Sequence, residues 1–345
     1  MNAFAYPRVS VVISAYNQID FLTTAIESAQ QLVYPNLEIV IADDVSTDGT
    51  REVIEKKYMP DPRVKYFRNE VNLRRVRNYR KGLYDYATGD WAMHLDGDDY
   101  LTDKFFIRDA IEASREHPDL VLIAAGQTEV FPGGSETVQL ITDMPLEYVD
   151  GKEFFLSWPG KRIGLAHLGA LYKRDLATRI GFYTEDVVST DWESLRRLVV
   201  LGEVALLGRS VGVWRYHESN VSRAYDVRER LNRFVCITGP YDFARDRIAD
   251  KGALDKWRKR ALVDFTMSHY VDFITGGEIK AGREFLSGAF RNFPEMRKGF
   301  AALLIRKPSV IFASLLLLIF GKSGYMRFRG WRGKLDRTGQ KYTIK

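Results

Sequence analysis

The sequence predicts an α/β protein: a mostly parallel sheet flanked by helices over residues 1–225, then a helical C-terminal region over residues 226–345. Three observations predict it. Short β-branched runs alternate with segments of helical apolar spacing through the first hundred residues, the pattern of a parallel sheet covered by helices. Polar loops follow three of those runs, two of them rich in Asp, at the strand ends where such sheets bind ligands. Beyond Asp226 long helical patterns dominate.

The elements follow in order. Val9-Ser10-Val11-Val12-Ile13 is the first strand, ending in Ser14-Ala15-Tyr16-Asn17. Residues from Asp20 to Gln31 place Phe21, Leu22, Ala25, Ile26 and Ala29 at helical spacing. Leu37 to Ala42 is the second strand, followed by Asp43-Asp44-Val45-Ser46-Thr47-Asp48-Gly49 and a helix from Thr50 to Tyr58. Val64 to Phe67 is a strand and Val76 to Ala87 a helix. Trp91 to Leu95 is the fourth strand, followed by Asp96-Gly97-Asp98-Asp99. Leu120 to Ala125 reads as a strand, and Pro132-Gly133-Gly134 as a turn closing a hairpin. His167 to Tyr172 and Val211 to Tyr216 read as extended. Asp191 to Leu201 reads as a helix with Asp191 at its N-cap.

Composition narrows the class. A chain of 345 residues, 46% hydrophobic, supports one large core with an appendage, or two domains. One cysteine, Cys236, makes no internal disulfide, which fits a reducing, cytoplasmic setting. The opening residues lead straight into a strand pattern, with no signal peptide expected. The net charge of +6 is uneven. Residues 306–345 hold ten Lys/Arg against Asp336 alone, leaving 41 basic and 44 acidic residues elsewhere. Val310 to Phe320 is apolar apart from Ser314, about half the roughly 20 residues a span needs. Flanked by Lys307, Lys322 and the Arg327–Arg332 cluster, it reads as a segment on an anionic membrane face, or else as a core helix.

Asp96-Gly97-Asp98-Asp99 sets carboxylates two apart at a strand end. Hard divalent cations take such oxygens, and need only one or two when phosphates supply the rest. Acidic, Gly-containing tetrapeptides are also ordinary turns. Asp43 and Asp44 suit an acceptor for a nucleobase or ribose. A capping loop before the Thr50 helix, with Ser46, Thr47 or Asp48 as cap, is the structural alternative.

The three motifs in this order resemble the family 2 glycosyltransferases, over roughly residues 8 to 222. Val9 to Asn17 resembles the family's opening, Ile41 to Thr50 its second motif, and Leu95 to Asp99 its metal motif. Asn72, Arg77-Asn78 and Gly82-Leu83 echo the helix before that motif. The resemblance implies a Rossmann-like GT-A fold and inverting transfer of a sugar from a nucleotide-sugar donor, UDP by default. Ala15, Tyr16 and Asn17 would line the nucleobase pocket, and Asp43 or Asp44 would hold the base. Asp96, with Gly97, would meet ribose or diphosphate, as would Arg77. Asp98 and Asp99 would bind Mn²⁺ or Mg²⁺. Thr190 to Arg197 resembles the surroundings of the family's catalytic base, which points to Asp191, with Asp186 and Glu193 as alternatives. Trp214 to Ser222 resembles the element closing the catalytic domain, where His217 would reach the metal or diphosphate.

Two departures stand out. Ser14-Ala15 replaces the family's usual Pro-Thr, and Arg74 replaces its usual Gly. The Gln-x-x-Arg-Trp signature and membrane spans of processive synthases do not occur in the sequence, so a single addition is expected. The implied partners are the donor, a glycan or lipid-linked glycan acceptor and an anionic membrane surface at the inner face of the plasma membrane, with no nucleic acid. An oxidoreductase or a sugar nucleotidyltransferase would need a Gly-rich first loop, which Ser14-Ala15-Tyr16-Asn17-Gln18 does not supply. A degenerate transferase that only binds nucleotide-sugar or polysaccharide is the remaining alternative.

Overall fold

The computed structural model describes residues 6–158, 165–217, 220 and 226–306. Strands β1 (Val9–Ala15), β2 (Leu37–Asp43), β3 (Val64–Arg68) and β4 (Trp91–Asp96) are parallel and lie in the order β3-β2-β1-β4. Three helical crossovers join them. They are α1 (Ile19–Gln30), α2 (Thr50–Val53, widened into a π turn over Ile54–Tyr58) and α3 (Arg75–Lys81, widened likewise over Gly82–Tyr86). Every residue of β1 and β2 is buried, as in a sheet covered on both faces. Alternate residues serve opposite sides. Val11 and Ile13 join Ile39, Ile41, Leu95 and the α1 residues Leu22 and Ile26, whereas Val12 and Val40 pack with Phe67, Tyr86 and Ala87. Gly82 lets the α3 extension close on that second face, since a Cβ there would stand 2.8 Å from Val12 Cγ1.

The second half of the sheet is mixed. It comprises β5 (Tyr100–Leu101), β6 (Leu120–Val130), β7 (Glu136–Gln139), β8 (Leu146–Asp150), β9 (Ala170–Lys173) and β10 (Glu203–Arg215). From β4 the order runs β9-β6-β10-β5, with β9 antiparallel to both neighbours and β10 parallel to β6. The expected hairpin is present, pairing β6 with β7 across Pro132-Gly133-Gly134. Helices α4 (Phe106–Ala113), α5 (Gly151–Ser157), α6 (Arg174–Arg179) and α7 (Thr190–Val199) complete this part.

Two local expectations shift. The extended stretch expected from His167 begins only at Ala170, because Gly169 turns the chain with φ +83°. His167 therefore sits on a loop at the sheet edge. Helix α7 begins at Thr190 with Ser189 in the cap position. Asp191 thus lies in the first turn instead of capping it.

The chain divides into two compact units, one of Met1–Ser222 with Val235–Leu254, the other of Arg223–Phe234 with Asp255–Lys345. In the first, α9 (Val235–Ala244, after α8, Val227–Asn232) packs on α7, where Arg196 Nη1 donates to the Cys236 carbonyl at 2.8 Å. The second unit is helical. Its core gathers Phe234, Phe265, Phe273 and Phe285 from α10 (Lys251–Thr275), α11 (Ile279–Asn292) and the end of α8, ahead of α12 (Arg297–Ile305). The Val310–Phe320 run and its basic flanks lie outside the described residues. No described helix is long and apolar enough to cross a membrane.

Candidate active site

The loops after β1, β2 and β4 converge at one sheet edge. Asp44 N donates to Ala15 O at 2.9 Å, Asn17 N to Ser46 Oγ at 3.0 Å, and Thr47 N to Asn17 Oδ1 at 2.7 Å. Asp48 pins two helix starts together, accepting from Ile19 N at 2.9 Å and from Thr50 Oγ1 at 2.6 Å. Gly97 closes the third loop onto the first, because a Cβ would fall 2.6 Å from Ser14 O. Asn17, Val45, Arg74 and Tyr183 are non-glycine residues with positive φ, between 50° and 69°. Such backbone strain gathers at functional sites, and these four lie on the site loops or on the loop behind them.

On the expected nucleotide side, Tyr16 presents an open ring, 52% exposed. The two neighbouring aspartates, both buried, differ in their bonds. Asp43 is fully buried and bonded at both oxygens: Oδ1 accepts from Ser46 N (2.9 Å) and Oγ (2.5 Å), and Oδ2 from Tyr66 Oη (2.6 Å) and Arg68 Nη1 (2.8 Å). Asp44 makes its bonds through Oδ1, from Asn69 Nδ2 and Leu73 N, both at 2.8 Å. Arg77 is exposed on α3. Two residues round the helix, Arg75 turns the other way. It reaches Val187 O at 3.3 Å and lies over the ring of Tyr79, whose hydroxyl donates to Asp96 Oδ1 at 2.5 Å.

Asp96, Asp98 and Asp99 each offer an oxygen within 4.8 Å of the others. His217 Nε2 lies 2.9 Å from Asp98 Oδ2, with its ring stacked on Phe21 at 4.9 Å. Arg215 N donates to Asp99 Oδ1 at 3.0 Å, and Arg215 Nε to the Asp98 carbonyl. Burial and the Asp96 charge push the Asp98 carboxyl up, with His217 opposing. Burial and both neighbouring carboxylates push Asp99 well up. Burial would raise Asp96 too, but the His167 and His94 rings and the Tyr79 hydroxyl outweigh it and leave it lowered. Crowded, undercompensated oxygens of this kind fit a hard divalent cation.

Across from these acids stands Asp191, 8% exposed. Burial raises its carboxyl, opposed by His167 and by the Trp192 amide. His167 Nε2 is 3.7 Å from Asp191 Oδ2, and its Nδ1 is 3.1 Å from Tyr183 Oη. His94 is completely buried beside it, rings 4.9 Å apart, and meets Ser14 Oγ at 3.0 Å. Burial first, then His167, brings His94 down to about 3, so it is a neutral ring. The alternative bases are less apt: Asp186 is exposed, and Glu193 is buried against Arg197 at 2.6 Å. Sequence reasoning passed over His94, His167, Tyr79 and Tyr183. The Ser14 departure was the available signal, since a proline there could not bond His94.

Comparison with known proteins bears on this geometry. Residues 10–181 match the family model for glycosyl transferase family 2. The GalNAc(5)-diNAcBac-PP-undecaprenol beta-1,3-glucosyltransferase of Campylobacter jejuni is 34% identical over 95 residues, 28% of this chain and 31% of that protein. The putative glycosyltransferase EpsE of Bacillus subtilis is 39% identical over 95 residues, 27% of this chain and 34% of that protein. The matched stretch thus spans about a third of these curated relatives' length. Among solved structures, S. aureus TarS 1–349 in complex with UDP superposes with TM-score 0.60 at 15% identity, covering 86% of this chain and 91% of that one. The mannosyltransferase PcManGT from Pyrobaculum calidifontis, in complex with GDP-Man and Mn²⁺, gives 0.53 at 16% identity, covering 92% and 88%. At such identities the likeness is one of fold.

Proposed function

The chain belongs to the family 2 glycosyltransferases, and from that premise we propose that it transfers a single sugar from a nucleotide-sugar, by default a UDP-sugar, to an acceptor hydroxyl with inversion. The observation that carries the proposal is the opposition of two acidic centres: Asp96, Asp98 and Asp99 after β4, and Asp191 at the start of α7. The first suits the leaving diphosphate, the second the incoming hydroxyl.

In this reading Tyr16 and Asn17 border the nucleobase. Asp44, with its bonds confined to one oxygen, accepts from the base, while Asp43 braces the loop. Asp96 orients the ribose or diphosphate, and Arg75 sits between the two acidic centres. Asp98 and Asp99, with His217 alongside, would hold Mn²⁺ or Mg²⁺, which when bound offsets the charge of the departing diphosphate. Asp191 takes the acceptor's proton as its oxygen forms a bond to the anomeric carbon and the carbon–phosphate oxygen bond breaks. The electron pair of the broken bond leaves with the nucleoside diphosphate. The N-terminal turn of α7 favours the ionised Asp191 that this needs.

The relatives' names and the basic tail support an acceptor in glycan or glycolipid synthesis, lipid-linked and approached from an anionic membrane face. Calorimetric titration of UDP, GDP, dTDP and CDP, each with and without Mn²⁺, tests the donor site. One nucleotide binding tightly only with metal is the expected result. No binding under any condition would favour a degenerate binding module.

A further inference from the structure

We propose that His167 is a positioning residue for Asp191, presenting a fixed Nε2–H to the carboxylate that receives the acceptor's proton. The inference rests on Asp191 being the base. Its grounds are geometric. His167 stands on the turn forced by Gly169, 9% exposed, with Nε2 3.7 Å from Asp191 Oδ2. Its other nitrogen meets the Tyr183 hydroxyl at 3.1 Å, and Tyr183 is buried and held in a positive-φ backbone at 57°. The Tyr183 amide is itself anchored by Ser194 Oγ of α7 at 3.1 Å, so the ring's partner and the base are tied to one helix.

Tyr183 Oη can donate to Nδ1, because Tyr172 Oη, 3.4 Å away, can donate to Tyr183 in turn. With Tyr183 Oη donating to Nδ1, the neutral ring carries its proton on Nε2, aimed at Asp191. Tyr79 and His94 pack beside the ring at 5.2 Å and 4.9 Å between centroids. The gap of 3.7 Å is long for a hydrogen bond, as catalytic contacts often are before substrate arrives. The charged and titratable groups facing this pair are Arg75, Asp96, Arg196, His94, Tyr79 and Tyr183.

The test reads the ring directly and then the turnover. In ¹⁵N-labelled protein, His167 is identified among the five histidines by the signal lost in His167→Gln. It should show the Nε2–H tautomer, and its Nε2 resonance should shift in Asp191→Asn, where the carboxylate it faces is gone. Nucleotide release from UDP-GlcNAc or UDP-glucose with Mn²⁺ should fall on the order of 10- to 100-fold in His167→Ala, at unchanged donor KM. His167→Gln, whose amide can reach the Nε2 position, should restore part of it. Tyr183→Phe, a mild change, should lower turnover in the same sense, and keeps the test open should His167→Ala misfold. An Nδ1–H tautomer, or an Nε2 resonance indifferent to Asp191→Asn, overturns the role of His167 even if Asp191→Asn is inactive. Asp191→Asn turning over at the normal rate overturns the base assignment and this inference together.

Discussion

Nε2 of His217 lies 2.9 Å from Oδ2 of Asp98, joining the end of β10 to the acidic loop after β4. The contact gives Asp98 a ring-nitrogen partner, whereas Asp99 takes the Arg215 amide and its charge. Asp98→Ala should therefore abolish the Mn²⁺-dependent part of nucleotide binding while leaving the metal-free part and the melting temperature unchanged. His217→Ala removes the group that orients Asp98, and should weaken the metal-dependent affinity about tenfold. Calorimetry with and without Mn²⁺ reads both, and an Asp98→Ala protein that still gains affinity from metal would remove Asp98 from the site.

The aspartate pair after β2 separates into a brace and a contact. Asp43→Asn cannot serve Ser46, Tyr66 and the half-buried Arg68 guanidinium together, and losing these bonds to the buried carboxylate should cost about 1–3 kcal/mol. Asp44→Asn keeps an acceptor for Asn69 and Leu73, so the fold should hold while UDP affinity falls roughly tenfold, the loss of one charge-assisted bond. Thermal melts beside calorimetry decide this. If Asp43→Asn binds poorly but melts normally, the roles are exchanged.

This pair shows where sequence reading stops. The Asp-Asp run was visible as a polar loop after a buried strand, because strand period and loop chemistry are local. Which aspartate faces a ligand depends on Tyr66 and Arg68 of β3, about 25 residues away and unremarkable in sequence. The parallel order of β1 to β4 was legible for the same local reason. The antiparallel insertion of β9 was not, and with it went His167, which looked like one more residue of a strand. Arg75 and Arg77 were equivalent in composition; only the phase of α3 turns one toward Tyr79 and leaves the other exposed.

His94 makes acid stability a measurable property of the sheet edge. Its folded value of about 3 lies below the ordinary 6.5, with burial the main cause. The neutral ring thus contributes stability that is fully present above pH 6.5 and is lost as pH falls toward 3. The slope reaches about 1.4 kcal/mol per pH unit for one such group. His94→Phe should be less stable at neutral pH, because Ser14 loses its partner, yet its stability should fall less steeply between about pH 6 and pH 4. Urea unfolding across that range compares the slopes, and parallel curves would show that His94 is not buried neutral.

The basic, apolar tail is our proposed membrane contact. Truncation after Lys307 removes eight Lys/Arg and the Val310–Phe320 run. Polybasic attraction is worth about 1 kcal/mol per residue near an anionic surface. The truncated protein should therefore leave phosphatidylserine vesicles in a flotation assay, while nucleotide binding persists. Equal flotation without the tail would return the segment to the core reading.

Arg74 offers a test of strain. It replaces the glycine usual in the family, and its backbone explains why glycine is usual there: φ 66° and ψ 166° lie in a region that side chains other than glycine's enter at a cost of about 1–3 kcal/mol. The residue is exposed, and as the N-cap of α3 it gives up little that glycine lacks. Arg74→Gly relieves the strain and forfeits roughly 0.4–1 kcal/mol through the freer unfolded chain. The balance favours the variant by about 1 kcal/mol. A higher unfolding free energy with unchanged nucleotide affinity would mark Arg74 as tolerated strain at the mouth of the site. A higher unfolding free energy with weakened nucleotide affinity would mean that the strained backbone is kept for the guanidinium it carries. A fall in stability would refute the strain account altogether.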